Sequence, residues 1–209
     1  MNVQTAYNQW STAYDAVTNP TRDLDHAVVQ QTLGSLSCES VLETGCGTGK
    51  NTAVLADVGQ QVLALDFSDG MLAQAREKVA AGHVRFARAD LTQPWPVPDQ
   101  AFDLISCNLV LEHIEDLGFV FAQGARALKA GGRLFVCELH PTKQYMGSQA
   151  RFEHGGSVTL IPVYLHHLTD FTRAAEQNGF ALDELREWWH ADDDRAKQPR
   201  LVSFMFRKL

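Results

Sequence analysis

The sequence predicts an α/β fold with a mostly parallel sheet covered by helices on both faces. Three observations predict it. Short apolar runs alternate with helical stretches through the middle of the chain, a glycine-rich turn follows the first run, and acidic residues stand at the ends of later runs. Strand and helix in alternation imply right-handed crossovers and a parallel sheet.

The elements follow in order. Ser40-Val41-Leu42-Glu43 leads into Gly45-Cys46-Gly47-Thr48-Gly49, and Lys50–Val58 carries Val54, Leu55 and Val58 at helical spacing before Gly59. Gln61–Asp66 is a second strand. Ser68 caps a helix whose apolar face is Met71, Leu72, Ala75 and Val79, ending at Gly82. His83–Ala89 is a third strand, leading to Asp90. Pro94, Pro96 and Pro98 exclude a regular helix before Phe102. Phe102–Asn108 is a fourth strand, apolar enough to be buried on both faces. Asp116 opens a helix to about Lys129, stopped by Gly131-Gly132, and Arg133–Leu139 is a fifth strand. Residues 141–163 show no clear helix. A helix over Leu168–Asn178 ends at Gly179. Strands over Ala181–Trp189 and Leu201–Arg207, separated by Asp192-Asp193-Asp194 and Pro199, suggest an antiparallel pair at the sheet edge. At the start of the chain, Tyr7, Trp10 and Tyr14 share one helical face, expected as a cover over the domain.

The chain has 209 residues, a length that suits one core without disulfides or metals. Charged residues make up 21% of it and hydrophobic residues 45%, which excludes global disorder. The four cysteines, Cys38, Cys46, Cys107 and Cys137, form no C-x-x-C pair, so no zinc knuckle or disulfide scaffold is indicated and no metal is expected. Reduced thiols fit a cytoplasmic protein. The formal net charge is −7, and residues 1–70 hold eight acids against two bases. No Lys/Arg cluster appears, which argues against nucleic acid. The start of the chain does not read as a secretory signal, and no apolar stretch approaches the ~20 residues of a membrane span.

Glycines directly after a buried strand let the backbone approach a ligand. A phosphate loop would need Gly at 44 and Ser or Thr at 51, where the sequence has Thr44 and Asn51. A dinucleotide fingerprint needs G-x-G-x-x-G, and residues 45–50 read GCGTGK. The strand ends taken together are specific. VLETGCGTG (41–49), LDFSDGML (65–72), RADL (88–91), FDLISCNLVLEHIED (102–116) and LKAGGRLFVCELHP (128–141) occur in order. This set resembles the class I S-adenosylmethionine-dependent methyltransferases, in the small-molecule branch that includes the ubiquinone and menaquinone methyltransferases.

The resemblance implies a Rossmann-like sheet of seven strands, the last antiparallel, and S-adenosyl-L-methionine as cofactor. It implies one methyltransferase domain over 1–209: a helical cover (1–39), a cofactor core (40–140), an acceptor segment or lid (141–165), and a terminal helix with two strands (166–209). Gly45, Gly47 and Gly49 would bring their loop against the cofactor's methionine part and ribose, with Cys46 between them read mainly as packing. Glu43 would organise that loop and the cofactor amino group. Asp66 would bond both ribose hydroxyls, since an ionised carboxylate presents two acceptor oxygens to a diol. Phe67 and Met71 would flank the adenine, Met71 also belonging to its helix's apolar stripe. Asp90 would accept from the adenine amino group, with the Leu91 backbone nearby, and Asn108 would meet the methionine end through its backbone. Tyr14 is the cover residue expected nearest the cofactor.

Methyl transfer from a sulfonium is an in-line displacement, and some acceptors also need a base. His140, after the fifth strand, is the first candidate, with a turn-stabilising role as its rival; His113 is the second. Tyr145, Arg151 and His154 are expected at the acceptor. The expected partner is a small molecule, with the protein a monomer or homodimer. Two other readings stay open here: a cofactor-binding regulatory or scaffold protein, and a nucleotide-dependent oxidoreductase.

Overall fold

The computed structural model describes residues 3–11, 14–15, 18–147, 151–154, 157–191 and 193–209, with the side chains of residues 6, 9 and 151–159 outside that description. Asp192, expected in the acidic loop, lies outside the described residues. Among the described residues there are nine strands: β1 (Cys38–Thr44), β2 (Gly59–Asp66), β3 (Val84–Arg88), β4 (Phe102–Asn108), β5 (Leu128–Leu139), β6 (Arg151–His154), β7 (Ser157–Leu160), β8 (Phe180–Trp188) and β9 (Leu201–Lys208). The helices are α1 (Val3–Trp10), α2 (Pro20–Leu33), α3 (Thr52–Val58), α4 (Asp69–Lys78), α5 (Leu117–Ala127), α6 (Pro141–Tyr145) and α7 (Leu168–Gln177).

Seven strands form one sheet in the order β3-β2-β1-β4-β5-β9-β8. β1 to β5 run parallel, and β9 enters antiparallel between β5 and β8. The strand order therefore reverses between β1 and β4, and the crevice beyond the carboxyl ends there is where such sheets bind ligands. The carboxyl ends supply Glu43, Asp66 and Asn108 to that edge.

Each face of the sheet carries its own core. On one face Phe121, Phe180, Phe204 and Phe206 pack with Leu128 and Val136, Phe121 meeting Phe206 edge-on at 5.4 Å. On the other, Val28, Val29 and Leu33 of α2 pack against Val41, Leu104 and Phe135. Apolar residues on both sides of β1 and β4 explain why those strands read as nearly continuous hydrophobic runs.

The structure corrects several expected boundaries. The helix expected to reach Lys129 ends at Ala127, because Leu128 turns into the core opposite Phe102 and starts β5. Lys129–Gly132 form a bulge in that pairing, with Gly131 at φ 72°. The stretch expected to lack a helix contains α6, with Pro141 at its first position, and the β6–β7 hairpin. Helix α1 stops at Trp10, so Tyr14 lies in a turn beyond it, and α2, capped by the Asn19 side chain, completes the N-terminal layer.

Candidate active site

The loop after β1 is pinned to the end of β2. The Gly45 and Cys46 amides donate to the Leu65 carbonyl at 2.8 and 2.9 Å, and the Gly47 amide donates to Asp66 Oδ2 at 2.8 Å. Gly45, Gly47 and Gly49 all take positive φ, at 75°, 53° and 80°. Their surroundings differ. A Cβ on Gly45 would lie 2.1 Å from Val110 and one on Gly49 would lie 3.2 Å from Ala75, whereas one on Gly47 would meet no protein atom. Gly45 and Gly49 are thus fixed by packing, and Gly47 lies on the open side.

That open side is a cavity of about 580 Å³, within the usual range for small-molecule sites. It is lined from the sheet by Glu43, Asp66 and Asn108, and from the loops by Gly45, Cys46, Gly47, Phe67, Met71, Asp90 and Leu91. The N-terminal layer contributes Tyr7, Tyr14, Arg22 and Asp25, and the segment after β4 contributes Val110 and His113. Helix α1 is seated on the β2–α4 junction. Gln4 Nε2 donates to the Phe67 carbonyl at 2.8 Å, the Ser68 hydroxyl donates to Asn8 Oδ1 at 2.6 Å, and a Cβ on Gly70 would sit 2.5 Å from the Ser11 hydroxyl.

Three buried carboxyl groups face this cavity. Asp66 accepts from the amides of Gly47 and Ser68, one on each oxygen. A carboxylate has about four lone-pair positions, so acceptor capacity remains for a ligand. Burial pushes its pKa up, against the pull of those amides. Glu43 accepts a hydrogen bond from the Thr52 hydroxyl, and burial pushes it to about 8, with Asp66 and Asp25 adding to the rise. Asp25 is raised by burial, offset by bonds from Asn108 and Asn51. Cavity-lining Arg22 and Lys50 are engaged at their own partners: Arg22 lies 3.9 Å over the Tyr14 ring and donates to the Tyr14 carbonyl, and Lys50 pairs with Asp23. The donor set suits a ligand with a vicinal diol and positive charge, which is what an S-adenosylmethionine molecule carries. Among the described residues, no cluster of His, Cys, Asp and Glu could hold a metal ion, and no helix is long and apolar enough to cross a membrane.

Residues 42–136 match the family model described as a methyltransferase domain. The core of the chain is thus similar to methyltransferase domains. The chain is 30% identical over 141 residues to a demethylmenaquinone methyltransferase of Clavibacter sepedonicus, covering 65% of this chain and 57% of that protein. It is 34% identical over 148 residues to a ubiquinone biosynthesis O-methyltransferase of Xylella fastidiosa, covering 68% and 58%. The chain thus spans little more than half the length of these relatives. Its fold superposes on the N-methyltransferase NodS of Bradyrhizobium japonicum in complex with S-adenosylhomocysteine, with a TM-score of 0.73, 18% identity and coverage of 100% and 99%.

The structure brings most of the expected cofactor residues to one cavity. Tyr14, Glu43, Gly45, Cys46, Gly47, Asp66, Phe67, Met71, Asp90, Leu91 and Asn108 line it; Gly49 does not, since it packs against α4. Met71 is 1% exposed and belongs to the core as well. Asp90 accepts from the Thr92 amide and hydroxyl, so the turn-capping role and the cavity position coexist. The Asn108 side chain is fully engaged, its amide donating to Asp25 and its carbonyl accepting from Ser106.

The two candidate bases separate. His140 does not line the cavity: its Nδ1 caps α6 by accepting from the Thr142 amide, and its Nε2 faces Glu187 of β8 at 3.1 Å. Burial lowers its pKa, and Glu187 opposes that. A strand end fixes the backbone but not the side to which the ring turns, and here the ring turns to Glu187 rather than to the cavity. His113 does line the cavity. Its Nδ1 lies 3.0 Å from the Pro162 carbonyl, which only accepts, so Nδ1 carries a proton. In the neutral ring Nε2 then accepts from the Tyr7 hydroxyl at 2.9 Å.

The expected acceptor residues fall elsewhere or outside the description. Tyr145 is 55% exposed and its hydroxyl bonds His167 Nδ1, away from the cavity. The side chains of Arg151 and His154 lie outside the described residues. Sequence reasoning missed Asp25, Val110 and the contact role of Tyr7. Leu109, next to Asn108 and at φ 53°, is a non-glycine residue in the left-handed region.

Proposed function

We propose that the protein transfers a methyl group from S-adenosylmethionine to a small-molecule acceptor by in-line displacement. The observation that carries this reading is Asp66: a buried carboxylate held by two backbone amides, with free acceptor capacity on the cavity beside the open Gly47. When bound, the cofactor supplies an activated methyl group on a positively charged sulfur.

The chain's own residues account for the rest. Asp66 binds the ribose hydroxyls, Phe67 and Met71 form the apolar walls at the adenine, and Asp90 and the Leu91 backbone meet its polar edge. The three carboxyl groups of the cavity match the positive charge. The aromatic layer of Tyr7, Trp10 and Tyr14, with Tyr7 and Phe67 ring centroids 6.0 Å apart, excludes water from the cavity mouth. His113 is the imidazole at hand for an acceptor that must lose a proton, its Nε2 bonded to the Tyr7 hydroxyl, with both residues lining the cavity. Pro162 and Ile161, from the segment proposed for the acceptor, hold His113 and the aromatic layer, and residues 1–39 cover the core of a single domain.

The relatives named above differ in the acceptors their names imply, so the class of acceptor is left at a small molecule. Free, buried or half-buried cysteines support a reducing, cytoplasmic setting, and the acidic balance supports a protein that acts apart from nucleic acid, as a monomer or homodimer. The test is transfer of labelled methyl from S-adenosylmethionine to a panel of phenolic, quinone-like, amine and thiol acceptors. Acceptor-dependent labelling is expected; cofactor binding with no labelled product from any class would favour a regulatory protein instead.

A further inference from the structure

Asp25 lies within α2, is 4% exposed and lines the cavity. Asn108 Nδ2 donates to its Oδ1 at 2.8 Å and Asn51 Nδ2 to its Oδ2 at 2.7 Å. The Cys137 thiol is a third donor. Both amides are oriented from behind, by the Ser106 hydroxyl on Asn108 Oδ1 and by His26 Nδ1 on Asn51 Oδ1. The donors that touch Asp25 are therefore neutral. Among the described residues it forms no ion pair, while every other acid of the N-terminal layer up to Asp25 that lines the cavity has a lysine partner: Asp15 with Lys78 and Asp23 with Lys50.

A buried carboxylate without a cation is costly, and its neighbour Glu43 is in the same position. Asp25 raises Glu43, so the two groups, from α2 and β1, act on one region of the cavity. Three donors on about four lone-pair positions leave Asp25 one acceptor position.

We infer that Asp25 receives the primary ammonium of the amino-acid end of the cofactor, beside Glu43, for which the resemblance already implies a role at that group. The inference rests on the cofactor reading above and adds to it an element outside the matched domain, since Asp25 precedes residues 42–136. Cofactor binding and the seating of α2 on the glycine loop are thereby one event: the residue that anchors α2 to Asn51 and Asn108 is the one the ammonium neutralises.

The test is titration calorimetry of the intact protein with S-adenosylhomocysteine and with its deaminated analogue, in which hydrogen replaces the amine. The wild type is expected to prefer S-adenosylhomocysteine by about 10-fold or more, the factor of one charge-assisted hydrogen bond. Asp25→Asn should erase most of that preference while binding the analogue within about 2-fold of wild type, a difference well under 1 kcal/mol. Asn51→Ala breaks the same anchor without removing the charge and should keep the preference. Equal affinity of the wild type for the two ligands overturns the inference and leaves the cofactor reading standing. So does an equal loss of both ligands in Asp25→Asn, or an unchanged preference there. A wild type that binds neither overturns both.

Discussion

The Tyr7 hydroxyl and His113 Nε2 are 2.9 Å apart, joining the first helix to the segment after β4 across the cavity mouth. Because the Pro162 carbonyl holds the other ring nitrogen, His113 is fixed in the tautomer whose free lone pair faces Tyr7. Burial raises Tyr7 well above its ordinary range, so the phenol stays protonated and is the donor. An acceptor proton would reach His113 by passing to the Tyr7 oxygen as Tyr7 gives its own to Nε2.

Tyr7→Phe removes that bond and keeps the ring. It is expected to lower the methylation rate by about 10-fold or more, in the range of acid–base contributions, with S-adenosylhomocysteine affinity nearly unchanged. Rates with an acceptor found by label transfer, alongside calorimetry, check both halves. Equal rates in variant and wild type would make the pair a structural latch.

His140→Ala tests the opposite assignment. The ring caps α6 and does not line the cavity, so its loss should cost about 1 kcal/mol of stability, as for other caps, and leave cofactor binding and rate near wild type. Chemical denaturation and the same rate assay decide it. A rate collapse with intact folding would restore His140 to the reaction.

Glu43 gives a pH dependence with a definite sign. Its folded-state pKa, about 8, is raised above the unfolded value near 4.5, so the folded protein binds the extra proton between those limits. The stability this lends is complete below about pH 4.5 and is lost as pH rises through 8, at most about 1.4 kcal/mol per pH unit for one group. Glu138, also pushed to about 8, contributes with the same sign. Denaturation of ligand-free protein at several pH values between 5 and 9 should therefore show a shallower decline for Glu43→Gln than for wild type. Parallel declines would mean that Glu43 is ionised in the free protein.

The parts of this account that were legible in the sequence are those set by local pattern. The glycines after β1 and the acid closing β2 mark a strand end, and a parallel sheet gathers its strand ends at one edge, so Glu43, Asp66 and Asn108 met as expected. Asp25 was not legible because an acid in a polar helical stretch reads as solvated; only the packing of α2 on the sheet buries it. His140 shows the limit from the other side, since its position along the chain was right and its direction was not. Short α6 and the β6–β7 hairpin fall below the window in which periodicity is informative.

The most direct test of the central claim is calorimetric titration of the wild type and Asp66→Ala with S-adenosylhomocysteine. Two charge-assisted hydrogen bonds to the ribose predict tight binding by the wild type and a loss of about 100-fold or more in the variant. No binding by folded wild type, or equal binding by the two proteins, would contradict the account.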